Sequence, residues 1–138
     1  MKTEEILNLD YRKEENKEII QKVLRKIKPL SRFSDEKEVP LYAIEKLIRV
    51  LCSKYEISPQ WMRMTFEDPV LGVYAIGVKN TTKHEWLGDV YGMCLYEVFA
   101  KLGIKMYSEI KSGNIPIKTM SKEEKQREKI AKKASIED

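Results

Sequence analysis

The chain has 138 residues, of which 42% are hydrophobic and 35% charged, and its formal net charge is +4. That length suits one domain plus tails, with a core that needs neither disulfide nor metal to fold. The charge is evenly spread. Residues 1–39, 40–80, 81–118 and 119–138 hold ten, five, five and six basic side chains against nine, four, four and five acidic ones, so every part nets +1. A nucleic-acid binder concentrates its charge on one face, whereas this mixture is that of an ordinary surface.

The N-terminus, Met1-Lys2-Thr3-Glu4-Glu5, is charged and leads into no apolar signal segment. Lys, Arg or Glu breaks each apolar window well short of the ~20 residues that span a bilayer. A cytoplasmic protein without a membrane span is therefore expected.

Asp10 can cap a first helix with Glu14 and Glu15 in its opening turn, where negative charge suits the helix dipole. Ile20, Leu24 and Ile27 recur on one face of it, and Pro29 stops it. Leu30 to Val39 reads as a polar loop anchored by Phe33. Pro40 suits the first turn of a second helix carrying Leu41, Ile44, Leu47, Ile48 and Leu51. Its wide apolar stripe marks it as central, and it ends before Ser58-Pro59.

Residues 61–67 alternate, with Met62, Met64 and Phe66 on one side and Trp61, Arg63 and Thr65 on the other. Glu67-Asp68-Pro69 is a turn signal, and residues 71–79 form a second strand in a hairpin. Residues 84–91 read either as a third strand or as part of a helix capped at Thr82. The strand is preferred, because Gly88 and Gly92 would each cost a helix about 1 kcal/mol. Cys94 or Gly92 then opens a last helix to Lys111, along which Val98, Phe99, Leu102, Met106 and Ile110 keep helical spacing.

The tail, 119–138, has i,i+4 pairs Glu123–Arg127 and Glu128–Lys132 but almost no apolar face, as in a marginal helix or a disordered segment. The expected architecture is α+β. An N-terminal helix and loop (1–39) precede an α-β-β-β-α core (40–118), and a charged tail (119–138) follows. Ile44, Leu47, Leu51, Met64, Tyr74, Ile76, Leu95, Val98 and Leu102 are the expected core.

Chemistry-bearing patterns are sparse. One histidine, His84, stands near Cys94, Glu85 and Asp89 without the spacing of a metal site, so neither metal nor cofactor is expected. Cys94 at a helix start with His84 as base is the one nucleophilic arrangement available, a third-ranked Cys–His enzyme. The two cysteines, Cys52 and Cys94, lie in apolar surroundings and read as buried thiols, with a disulfide between them as the alternative.

Lys22, Arg25, Lys26, Lys28 and Arg32 form a basic run free of acids, either a solvated helix face or a row of phosphate contacts. Trp61, Arg63 and Thr65 are expected on the face of the sheet that helices leave open, where a partner or a base can stack. An exposed strand edge or the tail leaves the oligomeric state open.

The order helix, three strands, helix over residues 40–111 resembles the double-stranded-RNA-binding domain. Pro59-Gln60-Trp61 after the first helix of this core, Gly88, Gly92 and Ala100-Lys101 fit that pattern loosely. The resemblance implies that fold and a nucleic-acid partner. The family opens its last helix with a phosphate-binding lysine cluster, whereas this chain has Leu95-Tyr96-Glu97 there. The series Tyr91-Gly92, Tyr96-Glu97, Ala100-Lys101, Tyr107 and Ile110 is also similar to small accessory proteins of gut bacteria and their phages. The sequence points first to a non-enzymatic binding or adaptor protein with a protein partner, and second to nucleic-acid binding through the basic run.

Overall fold

The computed structural model describes residues 1–62 and 74–118. Four α-helices, α1 (Thr3–Leu7), α2 (Glu14–Lys26), α3 (Leu41–Lys54) and α4 (Leu95–Lys111), accompany three strands, β1 (Ile57–Met62), β2 (Tyr74–Asn80) and β3 (Glu85–Gly92). A 3-10 helix, Lys28–Phe33, joins α2 to the segment before α3. The strands form one antiparallel sheet in the order β1-β2-β3. The architecture is thus α+β, with α4 packed along β2 and β3 and against α3.

Helix α4 owes its start to Cys94. The Cys94 Sγ accepts a hydrogen bond from the Glu97 N–H at 3.5 Å, and the Glu97 carboxylate accepts one from the Met93 N–H at 3.0 Å. The first bond occupies an amide that the opening turn leaves without a helical partner, and the second ties the residue before the N-cap to that turn. From there Val98, Leu102 and Met106, four apart, are buried against Ile76, Val78 and Val90 of the sheet and Ile44 and Leu47 of α3. A Cβ on Gly92 would stand 2.6 Å from the Val98 backbone nitrogen, so only glycine lets α4 cross this close to the end of β3.

The N-terminal elements close the other side of α4. Ile20 and Leu24 of α2 are fully buried. Lys101 and Glu97 form a buried ion pair at 2.8 Å, and Lys101 also donates to the Leu9 carbonyl at 2.7 Å. Asn80, buried at the end of β2, accepts from the N–H groups of Thr82 and Lys83 and so shapes the turn into β3.

Several sequence expectations need adjustment. Asp10 does not cap α2, whose N-cap is Lys13. The Asp10 carboxylate instead accepts from the Arg12 N–H and pairs with the Arg12 guanidinium, which lowers its pKa to about 2. Strand β1 begins at Ile57 rather than at residue 61 and includes Pro59, which an edge strand tolerates because the edge leaves N–H groups unpaired anyway.

The expected loop after Pro29 winds into the 3-10 helix, with Phe33 buried as its anchor. Helix α1 lacks the length that gives a visible apolar period. Leu95 is 44% exposed rather than in the core. As the first residue of α4 it has no preceding turn for its side chain to lie against. The expectations for residues 63–67, Met64 among them, and for the tail from Thr119 lie outside the described residues.

Candidate functional site

His84 and Cys94 flank β3 from opposite ends. The strand is eight residues long, and at ~3.3 Å per residue this holds them about 25 Å apart. They cannot share a proton. His84 occupies the turn with a φ of 54°, and Cys94 is exposed with its sulfur engaged by the Glu97 N–H. Glu85 and Asp89 do not join them, and among the described residues no cluster of three metal-ligating side chains exists. Both cysteines are free thiols, and burial pushes the Cys52 thiol up.

The basic run is divided by the structure. Arg25 turns inward, its guanidinium donating to the carbonyls of Phe33 (3.3 Å) and Glu36, so it holds the chain after the 3-10 helix rather than a ligand. Arg32 lies over the Phe33 ring, 4.7 Å from its centroid. Lys22, Lys26 and Lys28 are exposed. Lys22 and Arg25 border a cleft of about 390 Å³ beside Tyr11 and Gln21, but Glu14, Glu18 and Glu38 line it together with Lys17 and Lys37. That mixture leaves no concentrated positive field.

The floor of this cleft is a polar clamp on Val39. Gln21, almost fully buried, accepts from the Val39 N–H at 2.8 Å, and the Tyr96 hydroxyl donates to the Val39 carbonyl at 2.6 Å. The Gln21 amide donates to the hydroxyls of Tyr96 and Tyr11, at 2.8 and 3.0 Å. Tyr11 in turn donates to the Glu38 carboxylate. Burial, first, and the bond to Glu38, second, raise the Tyr11 pKa, while burial raises that of Tyr96. Both phenols keep their protons, so the clamp holds structure and offers no general base.

The sheet has two unlike faces. Trp61, Ile76 and Val90 are cross-strand neighbours on the face that α4 covers. Trp61 packs edge-on against Phe99 of α4 at 5.8 Å and against Tyr74 at 6.3 Å, yet remains 58% exposed because β1 is the edge strand. Trp61 is therefore on the helix side of the sheet and not on the opposite face. Arg63 and Thr65, expected beside it, lie outside the described residues.

Trp86 is the tryptophan of the opposite face. Lys79 faces Trp86, Gly77 faces Asp89 and Ala75 faces Tyr91 in the β2–β3 register. The Trp86 ring sits where a Gly77 Cβ would be, 2.0 Å from the nearest ring atom. Its indole N–H donates to Asp89 at 2.7 Å, and the Tyr91 hydroxyl donates to the other Asp89 oxygen at 3.2 Å. The ring is thus fixed in place while 47% of the residue stays exposed.

Sequence alternation misses this triad, because residues 86 and 89 differ by an odd number and belong on opposite faces of a regular strand. A register shift at Val78/Lys79 inserts one extra residue in β3 and brings both to one face. Nothing in the sequence marks that shift, and the Trp86 ring reaches Gly77 diagonally across the pair.

Comparison with family models, curated proteins and solved structures gives no match for this chain. Among the described residues no helix is long and apolar enough to cross a membrane.

Proposed function

We propose that the chain is a non-enzymatic binding or adaptor protein that engages a protein partner through the open face of its sheet. The observation that carries this reading is Trp86, held by Gly77 and Asp89 and still 47% exposed. A large, oriented aromatic on an otherwise polar face is the kind of side chain that dominates protein interfaces. The Asp89 carboxylate lies between Trp86 and Tyr91. Its charge disfavours a phosphate backbone there and favours a partner that brings a donor or a cation. A cytoplasmic setting and an association with mobile elements, both expectations from the sequence alone, accompany this reading.

The test is affinity purification from the native cell with wild type, Trp86→Ala and Trp61→Ala. The expected outcome is a stoichiometric protein retained by wild type and Trp61→Ala and lost with Trp86→Ala. Equal recovery by all three would end the sheet-face reading.

Nucleic-acid binding is the second reading. It draws on the helix-strand-strand-strand-helix order from α3 to α4, similar to the double-stranded-RNA-binding domain, and on exposed Lys22, Lys26 and Lys28. Fluorescence anisotropy with short single- and double-stranded DNA and RNA, between about 50 and 200 mM salt, tests it. Binding that weakens steeply with salt and with charge reversal at Lys22 and Lys26 supports it, and no binding at the lowest salt removes it.

A further inference from the structure

Beside the Ile44–Ile48 core face of α3, a groove of about 280 Å³ runs between α3 and the 3-10 helix. Leu30, Ala43 and Leu47 make its floor and are nearly sealed from water, while Val50, at 36% exposure, leaves the floor open to it. Arg32 and Lys46 stand on the rim. Neither makes an ion pair among the described residues.

Arg32 is also held in place, because its guanidinium lies over Phe33 and Phe33 packs edge-on against Tyr42 at 6.2 Å. Glu45, the nearest acid on α3, is separated from Lys46 by about 100° of helical rotation and lies away from the groove. Among the described residues the groove therefore joins an apolar floor to a basic rim that no ion pair neutralises.

We propose that this groove docks an acidic amphipathic segment of a partner protein, its large apolar side chains on the Leu47–Val50 floor and its carboxylates on Arg32 and Lys46. Charge complementarity selects the acidic peptide. The lining side chains of the floor carry no polar atom that could read a base edge, so a nucleic acid would use the rim and leave the floor empty. A peptide helix with apolar residues at i, i+3 and i+4 uses both. This surface is separate from the sheet face and stands or falls independently of it.

The experiment is selection of a displayed library of helical peptides on the full chain. It is followed by affinity measurements of the enriched peptides against wild type, Val50→Glu, the pair Arg32→Glu/Lys46→Glu, and Trp86→Ala. Val50 is exposed enough for Val50→Glu to fold, which circular dichroism checks.

The expected result is peptides that combine Leu or Phe at helical spacing with Glu or Asp. Their affinity falls by at least about tenfold in Val50→Glu and in the double charge reversal, and stays unchanged in Trp86→Ala. Amide shifts in nuclear magnetic resonance spectra should map to Leu30, Ala43 and Val50.

Neutral or basic consensus sequences would overturn the proposal, as would affinity indifferent to Val50→Glu, or a failure to enrich any sequence that Val50→Glu rejects. A wild-type dimer that Val50→Glu dissociates would assign the groove to a second copy instead. Duplex binding lost on reversal of Arg32 and Lys46 but kept in Val50→Glu would assign the rim to nucleic acid.

Discussion

Replacing Gln21 by Met keeps the length and unbranched shape of the side chain and deletes its hydrogen bonds. Three are lost: one from the Val39 N–H, one to Tyr11 and one to Tyr96. The two tyrosines keep their other partners, Glu38 and the Val39 carbonyl, so each loses only an accepted bond. The Val39 N–H is different. Val39 has 0% exposure, and its amide is left without an acceptor. An orphaned buried donor costs about 1–3 kcal/mol, and the two lesser losses add roughly 0.5–1 kcal/mol each.

The apolar thioether recovers part of this through burial, so the expected net loss is about 2–4 kcal/mol. For a domain of this size that lowers Tm by about 10 °C. Urea unfolding followed by far-ultraviolet circular dichroism measures it, with the midpoint read at unchanged slope. A double cycle with Tyr96→Phe should show coupling of at least about 0.5 kcal/mol, since both side chains hold Val39. A loss below about 0.5 kcal/mol for Gln21→Met, or strict additivity with Tyr96→Phe, would refute the clamp.

Three further outcomes are expected. Tyr11 and Tyr96 have folded pKa values raised above the unfolded value near 10, so their contribution is complete below that pH and is lost as pH rises through the folded values. Urea midpoints should therefore fall above about pH 10 and flatten in Tyr11→Phe/Tyr96→Phe, and a wild-type midpoint indifferent to alkali would contradict this. Lys101→Met strands the Glu97 carboxylate in the core and should cost about 3–5 kcal/mol, most of which Glu97→Gln restores in the double variant; equal losses in single and double variants would argue that the pair is not coupled. Gly77→Ala forces the Trp86 ring off the sheet, with an expected cost of about 1–3 kcal/mol and a red-shifted emission that Trp61→Phe leaves in place; an unshifted spectrum would mean the ring was never seated on Gly77.

The sequence exposed those parts of the fold that rest on periodicity. The stripe Ile44, Leu47 and Leu51 and the stripe Val98, Leu102 and Met106 are buried where three- and four-residue spacing puts them. The expected strand at 84–91 is observed as Glu85–Gly92, as the cost of Gly88 and Gly92 in a helix implied. What stayed hidden depends on contacts between distant residues. Arg25 looked like a phosphate ligand because nothing local shows that the carbonyls of Phe33 and Glu36 fold back onto it. Trp61 lies on the helix side rather than the expected open face because its facing is set by register with β2, and the extra residue in β3 reverses the parity by which alternation would separate Trp86 from Asp89.

The bonds that tie residues 1–39 to the rest reach far along the chain. Thr3 meets Ser108, Leu9 meets Lys101, and Gln21 meets Tyr96, at separations of 105, 92 and 75 residues. During synthesis the first helices leave the ribosome well before α4 exists to receive them. Until about residue 111 has emerged, Ile20 and Leu24 have only the neighbouring 3-10 helix and α3 to pack on and lack the cover of α4. Long-range closure of this kind slows folding and prolongs the exposure of apolar surface. The elements before α3 thus settle late, and the interval before α4 arrives is when their apolar faces are most open to aggregation.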